Sequence, residues 1–202
     1  MKLSTRVICL FLLLLSLVFF AFHIPSSSQS IRSQNRVTQE AERITGDNFR
    51  YSGRTPKGAK LIAVNKPTRQ MVLAIDKGFG SLINIAQKNG YYRNTNYSEY
   101  TVYIAESDRT KDSSGNYSPD IAIGAAQYKG TEYDQGGYIY VAGMVVAFNP
   151  NAFVIAEHQR NFQRVSDVVR YEGEHLVLYH NDRNLYRQTA DHSKGGRHPI
   201  LK

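Results

Sequence analysis

The chain predicts an α+β domain: a small, mostly antiparallel sheet of about four strands, with one long backing helix and a second long helix that carries the chemistry. Two helical patterns and the β-rich runs between them lead there. Met71, Val72, Ile75, Phe79, Leu82, Ile83 and Ala86 recur at i, i+3, i+4 spacing, which predicts a helix over 67–89. Val165, Val168, Val169, Glu172, Leu176 and Tyr179 fall on one face of a second helix within Phe162 to Asp182. Between them lie runs rich in β-branched and aromatic residues, such as EYTVYIA at 99–105. With 42% hydrophobic and 21% charged residues the 202-residue chain has the composition of a folding globular protein. Fourteen Tyr and nine Phe without a Trp favour a sizeable sheet component.

The N-terminus comes first in the chain. Lys2 and Arg6 precede an uncharged apolar run, Val7 to Phe22, and then HIPSSSQS. A charged start followed by an apolar core is the order of a secretory signal. The run is long for a signal core and short for a ~20-residue membrane span. Residues 1–28 are therefore read as a signal peptide or an N-terminal signal anchor. Ser26 and Ser28 allow cleavage near Ser28, whereas the lack of an A-x-A site allows an uncleaved anchor. Either way the remainder is expected outside the cytoplasmic membrane: secreted, periplasmic, or tethered to the membrane through this segment. Cys9, the one cysteine, lies in the leader, so no disulfide and no Cys-ligated metal is expected in the folded part.

Residues 29–59 are polar and read as a linker or arm, with a short helix at Val37 to Ile44. A single α+β domain is expected over 60–202. It starts with a strand at Lys60 to Val64. Pro67 then fits the first turn of the backing helix and Gly90 its C-terminal cap. Gly78 and Gly80 weaken that helix by about 1 kcal/mol each but let another backbone approach closely. ESDRTKDSSGNYSPD is a polar loop. Ile121 to Tyr128 and Gly137 to Phe148 read as the strands of a hairpin with a long loop. Asn149-Pro150 is expected to end the second strand and open a helical turn through AFVIAEHQ, with His158 at the surface. After Asp182 the chain becomes polar and irregular.

Without the two leader cations the chain carries 23 basic and 17 acidic residues, a balance of +6. The basic residues are interspersed with acidic ones, with no run of five or six. This is the pattern of a solvated exterior and argues against nucleic acid as a partner. No G-x-S-x-G and no phosphate loop is present.

Chemistry is concentrated near the C-terminus. A carboxylate in the middle of an apolar helix face is costly unless it is paired, protonated or ligated. Glu172 stands there, with His175 one turn on and Glu174 pointing to the opposite face. His175, His180, His192 and His198, four of the six histidines, gather in this part of the chain, and Gly195-Gly196 would let the last loop fold back on the helix.

Tyr171-Glu172-Gly173-Glu174-His175 resembles the H-E-x-x-H motif of the zincin metallopeptidases, with Tyr171 in place of the first histidine. The element order also resembles a minimal zincin. The resemblance implies Glu172 as general base, His175 as a metal ligand, a downstream third ligand that His192 or His198 could supply, and Zn²⁺ as the metal. On this reading the protein is an exported metal-dependent hydrolase of the peptidase type, acting on a peptide or an envelope component. The alternative is a non-catalytic envelope binding or structural protein on a zincin-like scaffold with a decayed site, which the tyrosine favours because neutral phenol is a poor zinc ligand. The tail HSKGGRH also resembles small nucleases, but no second half of such a motif follows.

Overall fold

The computed structural model describes residues 36–43, 45–106, 110–111, 115, 117–118, 139–141, 144–146, 151–190 and 197–201. In chain order the described elements begin with helix α1 (36–43), strands β1 (Tyr51–Arg54) and β2 (Lys60–Ala63), helix α2 (Arg69–Lys88) and strand β3 (Thr101–Ala105). Two minimal hairpins follow, β4 (Thr110–Lys111) with β5 (Tyr117–Ser118) and β6 (Ile139–Val141) with β7 (Met144–Val146). Strand β8 (Ala152–Ala156) and helices α3 (Phe162–Asn181) and α4 (Arg183–Thr189) complete the set. The fold is α+β with a four-stranded mixed sheet in the order β1-β2-β3-β8.

The expectation of a mostly antiparallel sheet is corrected. Only β1 pairs antiparallel, with β2; β2–β3 and β3–β8 are both parallel. A helix crossover between β2 and β3 permits the first parallel pair, since parallel neighbours cannot be joined by a tight turn. The second follows because 152–156, AFVIA, is a strand rather than a helical turn. All five of its residues are buried. A sheet covered on both faces gives continuous apolar runs, and a short run of that kind has no period to identify it.

The two faces feed two cores. Leu61, Ala63, Val102, Ile104, Phe153 and Ile155 pack with Met71, Ile75, Phe79 and Leu82 of α2 and Val165, Val169 and Leu176 of α3. On the opposite face Ile62, Tyr103, Ala105, Ala152, Val154 and Ala156 meet Val37 and Ala41 of α1 together with Phe49. The stretch read as a polar arm therefore contributes at least from residue 36 onward, and Arg36–Lys202 groups as one compact unit. Three apolar side chains spread over a polar stretch left too weak a pattern to see. Phe49 meets Tyr103 edge-on at 5.3 Å between ring centroids, and Thr38 Oγ1 hydrogen-bonds the Tyr103 hydroxyl at 3.0 Å.

Helix α2 begins two residues after Pro67, so the proline precedes the helix and does not sit in its first turn; Thr68 is the N-cap, accepting from Met71 N–H at 3.2 Å. It ends as the glycine predicts. Gly90 lies at φ 80°, and Tyr91 N–H reaches back to Ala86 C=O at 2.9 Å while Gly90 N–H bonds Gln87 C=O. Among the other sequence expectations, Gly137 to Phe148 holds two short strands of one hairpin in its described residues, not a single strand. Ile121 to Tyr128 lies outside the described residues, as does the N-terminal leader. Among the described residues no helix is long and apolar enough to cross a membrane. His158 is buried, not at the surface, two residues past the buried strand β8 and next to Glu157, which is buried too.

Candidate functional site

Helix α3 positions the site. Asn161 caps its start, accepting from Arg164 N–H at 3.0 Å. Asp182 ends it and begins the next helix, donating its N–H to Leu178 C=O and accepting from Leu185 N–H at 2.9 Å. This double use of one aspartate makes the polar stretch after 182 a helix, α4, where the composition suggested irregular chain. Tyr186 of α4 packs edge-on to Tyr179 at 5.4 Å, and burial pushes its phenol above the ordinary value.

The middle of α3 is covered all round. Residues 172 to 178 are buried without a break. One side faces α2: a Cβ on Gly173 would collide with Leu82, and a Cβ on Gly78 would lie 2.5 Å from Ser166 C=O and 2.8 Å from Val169 Cβ. At both glycines the two helices are in tight contact, which is the close backbone approach expected at Gly78. About half a turn round from Gly173 stand Tyr171 and His175, and over them lies the C-terminal segment 197–201. The His198 ring sits 4.6 Å from that of His175 and 4.9 Å from that of Tyr171, between centroids.

Glu174 changes the picture drawn from the sequence. Its face away from the apolar stripe is not a solvent face, because the C-terminal segment covers it. The side chain has no exposure at all. Its Oε2 accepts from His198 Nδ1 at 2.9 Å and its Oε1 from Ile200 N–H at 2.8 Å. With the carboxylate ionised, the Nδ1 position of His198 carries the proton. The loop after α2 also comes near: Tyr91 has its phenol pushed up, first by burial, then by the negative charges of Asp182 and Glu174. Asn181 fastens this loop through both backbone groups of Arg93, at 2.9 Å and 2.7 Å.

Of the four residues singled out by sequence, Glu172 and His175 are both buried on α3, at 8% and 0% exposure. His198 is brought against His175. His192 lies outside the described residues. Tyr171, in the first ligand position of the motif, is held between His198 and Arg170, whose guanidinium lies 5.0 Å from the ring centre and donates to the hydroxyl at 3.2 Å. Glu174 was the residue sequence reasoning passed over, setting it on the opposite face without a role. The signal that could have found it is the burial implied by having apolar residues on several faces of 176–178, Leu-Val-Leu.

The described donor set falls short of a metal site. His175 and His198 bring two imidazoles together, one of them backed by a carboxylate. Among the described residues no group of three His, Cys, Asp or Glu side chains is arranged to hold an ion. Comparison with protein-family models, curated proteins and solved structures finds no match to this chain.

Proposed function

We propose that this chain is an exported, zincin-like metal-dependent hydrolase of the peptidase type, working on a peptide or envelope component. The observation that carries the reading is the 4.6 Å approach of His198 to His175 on the Tyr171–His175 face of α3. A zincin places its metal on that helix face and takes a further ligand from downstream. His175 and His198 would hold Zn²⁺, with His192 as the third ligand. A divalent ion there supplies Lewis acidity toward a scissile carbonyl. Glu172, about 60° round the helix from His175, would take the proton of the attacking water and return it to the leaving amine. Tyr171, fixed by Arg170, would line the site rather than ligate.

A second reading is favoured by burial. His175 and Glu174 have no exposure, and a phenol stands where the first ligand belongs. On this reading the cluster fastens the C-terminal segment to α3 in a non-catalytic binding or structural protein of the envelope. Metal analysis by mass spectrometry on protein purified without a His tag separates the two. The hydrolase carries close to one equivalent of zinc, loses it in His175→Ala, and keeps it in Glu172→Gln while losing peptide hydrolysis. Protein free of metal, with His175→Ala altering stability alone, would leave the second reading.

A further inference from the structure

We infer that the carboxyl end of strand β8 binds a small zwitterion, a free amino acid, with Glu157 taking its ammonium group. The site needs no metal and lies apart from the His175–His198 cluster, since His175 is about 20 Å along α3 from Asn161. Glu157 is 7% exposed and His158 8%. Neither side chain has a hydrogen bond or an ion pair, and solvent still touches their polar atoms. Glu157 N–H bonds Ala105 C=O at 3.0 Å, so this residue is still in the ladder. Alternation then puts its side chain on the face of Phe153 and Ile155, which α2 and α3 cover. Both helices begin at this end. Each leaves a strand of the parallel set, β2 or β8, and they run in step, Gly78 against Ser166 and Leu82 against Gly173. Glu157 is thus aimed toward two helix starts, at the strand ends where parallel sheets place their ligands. Neither helix has an acidic residue in its first turn, so the positive ends of both dipoles are left uncompensated. Lys66, Arg69 and Arg160 are exposed at these helix starts, and none of the three is in an ion pair. A carboxylate buried without a partner costs the fold free energy and returns none. A simple anion would suit the helix ends but not Glu157. An amino acid satisfies both signs: its ammonium meets Glu157, its carboxylate meets the helix ends and the free cations, and the His158 ring is a further hydrogen-bonding group.

Glycine is the probe, since it has no side chain to clash, with acetate and methylamine as molecules that carry one of its charges each. On the full chain, the ring signals of His158 in nuclear magnetic resonance are expected to move with glycine. They should move far less with either half-molecule at the same concentration. In Glu157→Gln, which keeps the shape and removes the charge, the dissociation constant for glycine should rise at least about tenfold. Without ligand this variant should also melt higher than the parent, because it relieves a buried charge that has no partner. A variant that melts lower, or does not fold, would make Glu157 a structural residue and overturn the inference. Unmoved His158 signals with glycine would overturn it as well. So would acetate binding as tightly as glycine, which describes a site for anions alone, or a glycine affinity that Glu157→Gln leaves unchanged.

Discussion

Helices α2 and α3 are equal in length, 20 residues each, and lie against one another, yet the chain uses them differently. Helix α2 buries an apolar stripe and leaves Leu73 and its charged residues outward; its one buried charged side chain, Asp76, accepts from Lys57 N–H at 3.0 Å and anchors the loop between β1 and β2. Helix α3 buries seven residues in a row, and three of them, Glu172, Glu174 and His175, are ionisable. The first is an ordinary amphipathic helix whose burial the hydrophobic effect explains. The second carries desolvation costs that apolar packing does not offset, and those costs locate the candidate chemistry.

The sharpest way to break this pairing is at the Leu82–Gly173 contact. Leu82→Ala removes a fully buried side chain and is expected to cost about 2–5 kcal/mol. Gly173→Ala alone should cost about 1–3 kcal/mol by overpacking. Together they should cost less than the sum, because the shortened residue 82 vacates the space the new methyl needs. Urea denaturation of the two single variants and the double variant measures the coupling; strict additivity would show that the helices do not meet there.

Gly78→Ala sharpens the comparison further. In an exposed helix this change stabilises by about 1 kcal/mol. Here the new methyl meets a backbone carbonyl at 2.5 Å, which cannot swing aside as a side-chain tip can. A net loss of about 1–3 kcal/mol is expected from the same denaturation measurement; a gain in stability would mean that the helices can slide apart freely.

Alkaline pH gives a smaller effect that again sets the two regions side by side. Tyr100 stacks on Phe79 of α2 at 4.6 Å and donates to Asn94 C=O at 2.6 Å; Tyr186 packs on Tyr179 of α3. Both phenols are raised above their ordinary value of 10.0, chiefly by burial. Below pH 10 both states keep the proton and nothing changes. Above it the unfolded chain releases protons that the folded chain retains, so stability should fall by up to about 1.4 kcal/mol per pH unit for each tyrosine. Urea midpoints from pH 8 to 11 should show the decline, less steeply in Tyr100→Phe, whose burial is the more complete.

What could be read from residue order was whatever repeats. The α2 stripe, its glycine cap and the apolar side of α3 follow from periodicity, as do β2 and β3. Strand β8 escaped because both its faces are covered and AFVIA shows no alternation. Parallel pairing escaped for a related reason, since nothing local in 101–105 or 152–156 announces which strand lies beside them. At the candidate site, the Glu172–His175 spacing and the approach of His198 were legible from the motif and the glycines before it. Glu174 was not, because its burial depends on a segment more than six helical turns further along the chain that happens to cover that face.

The two unlike cores also guard the sheet against misassembly. Strands β3 and β8 offer branched and aromatic bulk, Val102, Ile104, Phe153 and Ile155, to the helix pair. To α1 they offer three alanines, Val154 and one large ring, that of Tyr103. A slip of either strand by one residue would exchange the sets. It would drive a tyrosine hydroxyl into the layer between the helices, away from Thr38, and leave alanines facing the space cut for Phe153. Wrong pairings are thus rejected on both sides at once, by a void on one and by an orphaned hydroxyl on the other.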